Sequence, residues 1–274
     1  MIRAKKTLGQ NFLKNKDILR KIVESGNVQK DEVILEIGPG KGALTEFILA
    51  RGNKVKAIEK DNRLIPILEE KFSEEIKSGQ FELFEGDALE VDYKKIGLTK
   101  KKFSVIANLP YYITGKFLSL TLENKIQPEK IILMLQKEIV ERITGEFRKN
   151  GKKNILKKEN ILSVSIKVYG EPKFITTVSK KNFTPEPSVD SAVLGIYNIS
   201  KNFFTENNIN EKEFFDFVKL SFSSKRKKII KNLSNKFDKK ELEKYFTELN
   251  MDTNIRAEDL KVEELKKIFL GLKK

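Results

Sequence analysis

Five short apolar runs, at 32–37, 54–59, 81–84, 103–107 and 131–135, constrain this chain more than anything else in its sequence. Runs of this length, rich in Val, Ile, Leu and Phe, read as strands covered on both faces. Between them lie stretches of helical periodicity. Ile18, Leu19, Ile22 and Val23 mark a helix over 16–26 closed by Gly26, and another over 43–51 is closed by Gly52. A third is expected from an Asp61 N-cap to Phe72, with a kink near Pro66, and a fourth over 114–124. Alternation of this kind predicts an α/β fold, a parallel sheet with helices on both faces.

The second half reads differently. The Lys/Asn-rich stretch 149–160 is expected to be a solvated loop. Leu162, Val164, Ile166 and Val168 alternate with polar residues, which reads as a strand. Further strands are expected at 176–179 and 191–197, then helices at 210–222, 226–236, 238–249 and 258–270. Two domains follow, 1–200 and a small all-helical 201–274, joined near the Asn/Lys-rich stretch 198–210.

Composition narrows the chemistry. Lys and Arg number 54 against 39 Asp and Glu, a net charge of +15, which favours a polyanionic partner. No apolar run approaches the ~18 residues of a membrane span. The start, Met-Ile-Arg-Ala-Lys-Lys, has no apolar signal core, so a cytoplasmic protein is expected. There is no cysteine and no histidine, which removes thiol nucleophiles, histidine bases, disulfides and Cys/His zinc sites. Chemistry must run on carboxylates, amides, hydroxyls, Lys/Arg and backbone groups, and no metal is expected.

Glu36-x-Gly38-x-Gly40-x-Gly42 lies between the first strand and a helix. Glycines there permit a sharp turn and close approach of backbone to ligand. The third glycine comes two positions after the second, not three as in the dinucleotide fingerprint. Glu36 would repel a pyrophosphate but tolerate a cationic amino-acid cofactor. Glu59 ends the next strand and is suited to the two hydroxyls of a ribose. Asp87, after the third strand, suits an adenine amino group. As a set, Gly38, Glu59 and Asp87 resemble the S-adenosylmethionine site of Rossmann-like methyltransferases.

Asn108-Leu-Pro-Tyr111 closes the fourth strand, at the sheet edge where open α/β folds bind ligands. An adenine exocyclic amine is a poor nucleophile because its lone pair is delocalised into the ring. Two acceptors on its N–H groups favour a pyramidal nitrogen and aim the lone pair at a methyl donor. The Asn108 side-chain oxygen and a carbonyl of the Leu109-Pro110 turn are candidates. Tyr111 is expected to stack on the base. Phe183, in Asn182-Phe-Thr-Pro-Glu-Pro-Ser-Val-Asp-Ser191, is a second candidate ring. A Phe before Pro is ordinarily core packing, but the Pro-x-Pro-x-Val-x-Ser context favours a stiff loop presenting the ring.

These motifs, with Leu8-Gly-Gln-Asn-Phe-Leu13, Gln136-Lys-Glu138, Lys225-Arg-Lys-Lys-Ile-Ile-Lys-Asn-Leu233 and Arg256-Ala-Glu-Asp-Leu260, resemble the bacterial 16S rRNA adenine N6,N6-dimethyltransferase family over nearly the whole chain. The resemblance implies a Rossmann-like, S-adenosylmethionine-dependent methyltransferase sheet with a small helical RNA-binding domain. It implies a cofactor site of Asn11, Leu13, Gly38, Glu59, Asp87 and Asn108, with the N-terminal arm as a lid. Its substrate would be two adjacent adenosines in the 3′-terminal hairpin of 16S rRNA, within the small subunit or its precursor, methylated by a monomer. It also implies a helix at 162–168, against the alternation. The chain departs from the family at 149–163, where Lys158-Glu-Asn-Ile-Leu-Ser163 replaces a Tyr-Gly-Arg-Leu-Ser-like stretch. The alternatives are a 23S rRNA adenine dimethyltransferase of the macrolide-resistance type and a non-catalytic assembly factor on the same fold.

Overall fold

The computed structural model describes Lys5 and residues 8–100, 102–149, 152–155 and 158–273. Its strands are β1 (Phe12–Leu13), β2 (Val33–Ile37), β3 (Val55–Glu59), β4 (Phe81–Glu85), β5 (Phe103–Asn108), β6 (Ile131–Gln136), β7 (Glu146–Lys149), β8 (Lys152–Ile155), β9 (Glu171–Val178), β10 (Phe183–Thr184) and β11 (Ser191–Tyr197). The helices are α1 (Lys16–Ser25), α2 (Ala43–Leu49), α3 (Ile65–Lys71), α4 (Ser73–Lys77), α5 (Thr114–Glu123), α6 (Lys137–Thr144), α7 (Ile161–Lys167), α8 (Asn202–Thr205), α9 (Glu211–Ser221), α10 (Ile229–Leu233), α11 (Lys239–Glu248) and α12 (Val262–Gly271).

The chain forms two compact units. The first holds 1–140 and 171–199, the second 141–170 and 200–274. One crossing falls within a residue of the expected break at 200. The grouping of 141–170 with the helical part departs from the expected boundaries. Backbone and side chain both tie that segment there: Glu159 N–H donates to the Glu258 carbonyl at 2.6 Å, and Lys158 pairs with the Glu258 carboxylate.

In the first unit seven strands make one sheet in the order β4-β3-β2-β5-β6-β11-β9. The first five are parallel, and β11 runs antiparallel to both β6 and β9. The sheet is therefore mixed rather than purely parallel. Ile34, Leu35, Val105, Ile106, Leu133 and Met134 are fully buried, as central strands covered on both faces require. The chain leaves β2 toward β3 and β4 on one side, then returns to place β5 and β6 on the other. That reversal opens a crevice at the carboxyl ends of β2 and β5.

Helix α1 starts where the Asn15 side chain accepts from the N–H groups of Asp17 and Ile18, and it buries Leu19, Ile22 and Val23. Helix α3 begins at Ile65, not at Asp61, and Pro66 falls in its first turn. A proline there loses no intrahelical bond, so the expected kink has no cause. Asp61 is not a cap; its buried carboxylate has other partners, described below.

In the second unit, 162–167 lie in α7 with Val168 as its C-cap, as the resemblance implied and the alternation did not. Asn160 and Ser163 form a reciprocal capping box, and α7 buries Val164 and Ile166 while packing against α9. Part of the expected loop 149–160 is instead the β7–β8 hairpin. Its residues 150, 151, 156 and 157 lie outside the described ones. The helices α9 to α11 fall within the first three helical stretches read from sequence, and α12 overruns the fourth by one residue, around a core that includes Phe214, Phe217, Leu233, Phe246 and Ile268.

Candidate active site

The crevice at the carboxyl ends of β2 and β5 is a cleft of about 1060 Å3, its open mouth included. Glu36, Gly38, Gly40, Glu59, Asp87 and Asn108 all line it, as do Asn11 and Leu13 of the N-terminal arm. These residues span nearly a hundred positions in sequence. The sheet gathers those from Glu36 to Asn108 because they lie at or after the carboxyl ends of parallel strands, which meet at one edge, and pairing of β1 with β10 lays the arm over that edge.

The glycine loop forms the floor. Gly38 has φ of +64°, and a Cβ built on it meets nothing within 4 Å, so the loop backbone faces open space at that point. At Gly40, φ +62°, a Cβ would come within 3.0 Å of the Phe12 ring, so the arm rests directly on the loop.

The acids differ in environment. Glu36 is almost fully buried and takes a 2.7 Å hydrogen bond from the Thr45 hydroxyl. Burial pushes its carboxyl up to about 8; the Thr45 bond opposes this and the nearby Glu59 charge adds to it. Glu59 is also pushed up by burial, and N–H groups of Asp61 (2.8 Å) and Gly40 (3.0 Å) counter this by bonding its oxygens. Each Glu59 oxygen keeps acceptor capacity toward the cleft. Asp87 is held below the usual carboxylate range, chiefly by a 2.7 Å bond from Lys60, then by the Leu89 N–H.

These residues fit a cationic sulfonium amino acid joined to a nucleoside. A glycine backbone faces open space, one carboxylate suits ribose hydroxyls, another an amino group, and a buried acid lies by the floor. The donor set contains no thiol or imidazole, and among the described residues no cluster suited to a metal ion occurs.

At the reacting end, the Asn108 carboxamide donates from Nδ2 to the Asn11 carbonyl at 3.2 Å. Among the described residues no donor reaches its Oδ1. Asn11 turns its own side chain back to the Gly9 carbonyl (3.2 Å). The next turn separates two adjacent rings. It is a 3₁₀ helix, Tyr111–Ile113, whose residues step by a third of a turn. Tyr111 bonds the Ser191 hydroxyl at 2.9 Å and is half-buried, whereas Tyr112 lines the cleft and is 62% exposed.

Phe183 does not present an open ring. It is 4% exposed and belongs to the core cluster that holds Leu13, Leu19 and Val193. The cause is local pairing: β10 runs antiparallel to β1, with Leu13 opposite Phe183, which turns the ring inward.

A model of the ribosomal RNA adenine dimethylase family matches residues 1–274. The chain belongs to this family. Within it, the chain is 37% identical to the "Ribosomal RNA small subunit methyltransferase A" of Mycoplasma capricolum, over 98% of this chain and 97% of that one. A dimethyladenosine transferase from Plasmodium falciparum has a similar fold, with TM-score 0.75 and 24% identity over 96% of this chain and 97% of that one. The 23S rRNA methyltransferase ErmE is equally close in fold, with TM-score 0.74 and 22% identity over 96% and 100% of the two chains. Likeness of fold does not separate the two.

Sequence reasoning missed Tyr112, Lys60, Gln10 and Asp61. Only Tyr112 carried a signal, an aromatic adjoining the Asn-Leu-Pro-Tyr motif, and which of two neighbouring tyrosines faces the cleft depends on the 3₁₀ turn. Asp61 looked like a helix cap.

Proposed function

We propose that this chain transfers methyl groups from S-adenosylmethionine to the N6 amines of two adjacent adenosines near the 3′ end of 16S rRNA. The product is N6,N6-dimethyladenosine, formed on the small ribosomal subunit or its precursor in the cytoplasm. The supporting observation is the match over essentially the full length, helical unit included, to enzymes named for the small subunit. The large-subunit alternative has only likeness of fold in its favour.

S-adenosylmethionine supplies an electrophilic methyl group on a positively charged sulfur. Glu59 would receive the ribose hydroxyls, Asp87 the adenine amine, and the Gly38 backbone would lie along the ligand. Asn11 and Leu13 would close over it from the arm. Asn108 Oδ1 accepts one N–H of the target amine, and a carbonyl of the Leu109-Pro110 turn takes the other. The lone pair is then aimed by two fixed dipoles rather than by a base. The product ammonium is acidic enough to lose its proton without a histidine. Stacking on Tyr111 requires its ring, bonded to the Ser191 hydroxyl, to turn toward the cleft. Stacking on Phe183 requires that ring to leave the core. One copy of the chain suffices for these roles.

The test is labelled methyl transfer to unmethylated small subunits, large subunits and naked rRNA in parallel, with mapping of the modified base. Dimethyladenosine at adjacent positions of small-subunit rRNA is expected. Label confined to the large subunit would refute the proposal.

A further inference from the structure

The N-terminal arm crosses the cleft with contacts on either side. On one side, Gln10 Nε2 donates to Asp61 Oδ2 at 2.9 Å, and its Oε1 accepts from the Lys5 N–H at 2.8 Å. On the other, β1 pairs with β10, and Lys14 N–H donates to the Asn182 carbonyl at 3.0 Å. Between them the Asn11 carbonyl meets Asn108 Nδ2, and Phe12 lies on Gly40.

Asp61 is an unusual anchor for an arm. Its carboxylate is fully shielded from solvent and held by a two-pronged bond from Arg63, at 2.8 Å to Oδ1 and 2.6 Å to Oδ2. Its own N–H is bound to Glu59. The Arg63 bond is the main reason its carboxyl lies well below the usual range, so it stays ionised throughout the working pH. Gln10 therefore donates to a fixed, permanently charged acceptor, a stronger bond than one between neutral groups.

A carboxamide has two faces of nearly equal shape, and its catalytic use depends on which one meets the substrate. A main-chain carbonyl can only accept, so the Asn11 oxygen selects the rotamer of Asn108 with Nδ2 toward the arm. Oδ1 is then left for the cleft. If the arm lifts, that selection is lost.

We propose that Gln10, Asp61 and Arg63 form a latch that seats the arm so that the Asn11 carbonyl orients the Asn108 amide for the target amine. These are positioning residues; none touches the amine. The latch rests on the assignment of Asn108 as the amine acceptor. It differs from a simple lid, which would change donor affinity and leave the saturated rate alone.

The experiment compares wild type, Gln10→Ala, Gln10→Glu, Asn108→Ala and the Gln10→Ala/Asn108→Ala double variant. Substrate is unmethylated small subunits; donor affinity is measured separately by calorimetry. Losing one charge-assisted bond should lower the single-turnover rate at saturating donor roughly tenfold in Gln10→Ala. Gln10→Glu, which faces Asp61 with a second carboxylate, should be at least as slow. Donor affinity should fall by no more than the rate does, since Asn11 and Leu13 of the same arm would close over the donor, and the unfolding midpoint should hold, since Gln10 is partly exposed. In the double variant the Gln10 change should add no further loss to Asn108→Ala, because both act through one amide. A normal saturated rate in Gln10→Ala, a loss confined to donor affinity, or additive losses would each overturn the latch. A normal rate in Asn108→Ala would instead overturn the assignment of the amide itself.

Discussion

Glu36 gives the sharpest physical prediction. Its side chain is buried beside the glycine loop and bonded by the Thr45 hydroxyl, with a like charge nearby at Glu59 and a weaker opposing one at Lys71. The rise of its carboxyl from 4.5 to about 8 corresponds to about 5 kcal/mol, at 1.36 kcal/mol per pH unit. The folded protein holds a proton there that the unfolded chain releases near 4.5. The stability so conferred is therefore complete below pH 4.5 and is lost as pH climbs through about 8. Between roughly pH 5 and 8 this one group should erode stability by about 1.4 kcal/mol per pH unit. Glu36→Gln keeps an acceptor for the Thr45 hydroxyl and removes the titration. Its extra buried N–H groups impose a constant cost, so the informative quantity is the pH dependence of the difference between the proteins. Urea unfolding of both, without donor, at pH 5, 6, 7 and 8 measures it. The balance should shift toward Glu36→Gln by several kcal/mol across this range. A cationic donor favours the ionised acid, so its binding to wild type should release a proton near pH 7 and strengthen as pH rises. Glu36→Gln should lose both effects. A stability difference that does not vary with pH would refute the reasoning.

Asn108→Ala should lower turnover by on the order of 10²-fold or more, as loss of one preorganised polar group does, with donor affinity changed far less; unchanged single-turnover methylation would end its assigned role. Phe183→Ala should destabilise the protein by about 3–5 kcal/mol, because the ring is core. A normal methylation rate on the surviving folded fraction would confine Phe183 to packing, and a collapsed rate with intact donor binding would restore it as a stacking ring. Neutralising Lys225 and Arg226, both exposed in the turn between α9 and α10, should weaken rRNA binding and reduce the salt slope by roughly one for each phosphate no longer neutralised. A slope equal to wild type would make that segment a solvated face.

Much of the architecture was legible in the linear pattern of residues. Ile34–Leu35 and Ile106–Ala107 announce central strands because a parallel sheet buries both faces, and apolar runs are the only way to fill them. The glycine loop, Glu59, Asp87 and Asn108 could be placed at one sheet edge, because each follows or ends a parallel strand. The sequence by itself determined the chemistry allowed: without histidine or cysteine, the chain must work with amides, carboxylates and backbone dipoles. What it left open depends on contacts between distant residues. Capping and packing against α9, not alternation, made 162–167 a helix. Pairing of β1 with β10 turned Phe183 into the core, where its proline-rich flanks had suggested a free loop. A 3₁₀ step sent Tyr112 rather than Tyr111 to the cleft. Asp61 reads locally as a cap, and only the fold brings Gln10 to it across fifty-one residues. Periodicity and spacing report what a residue does to its own backbone. The partner of a buried charge, the inward or outward turn of a ring and the orientation of an amide are decided by which other segment lies against it.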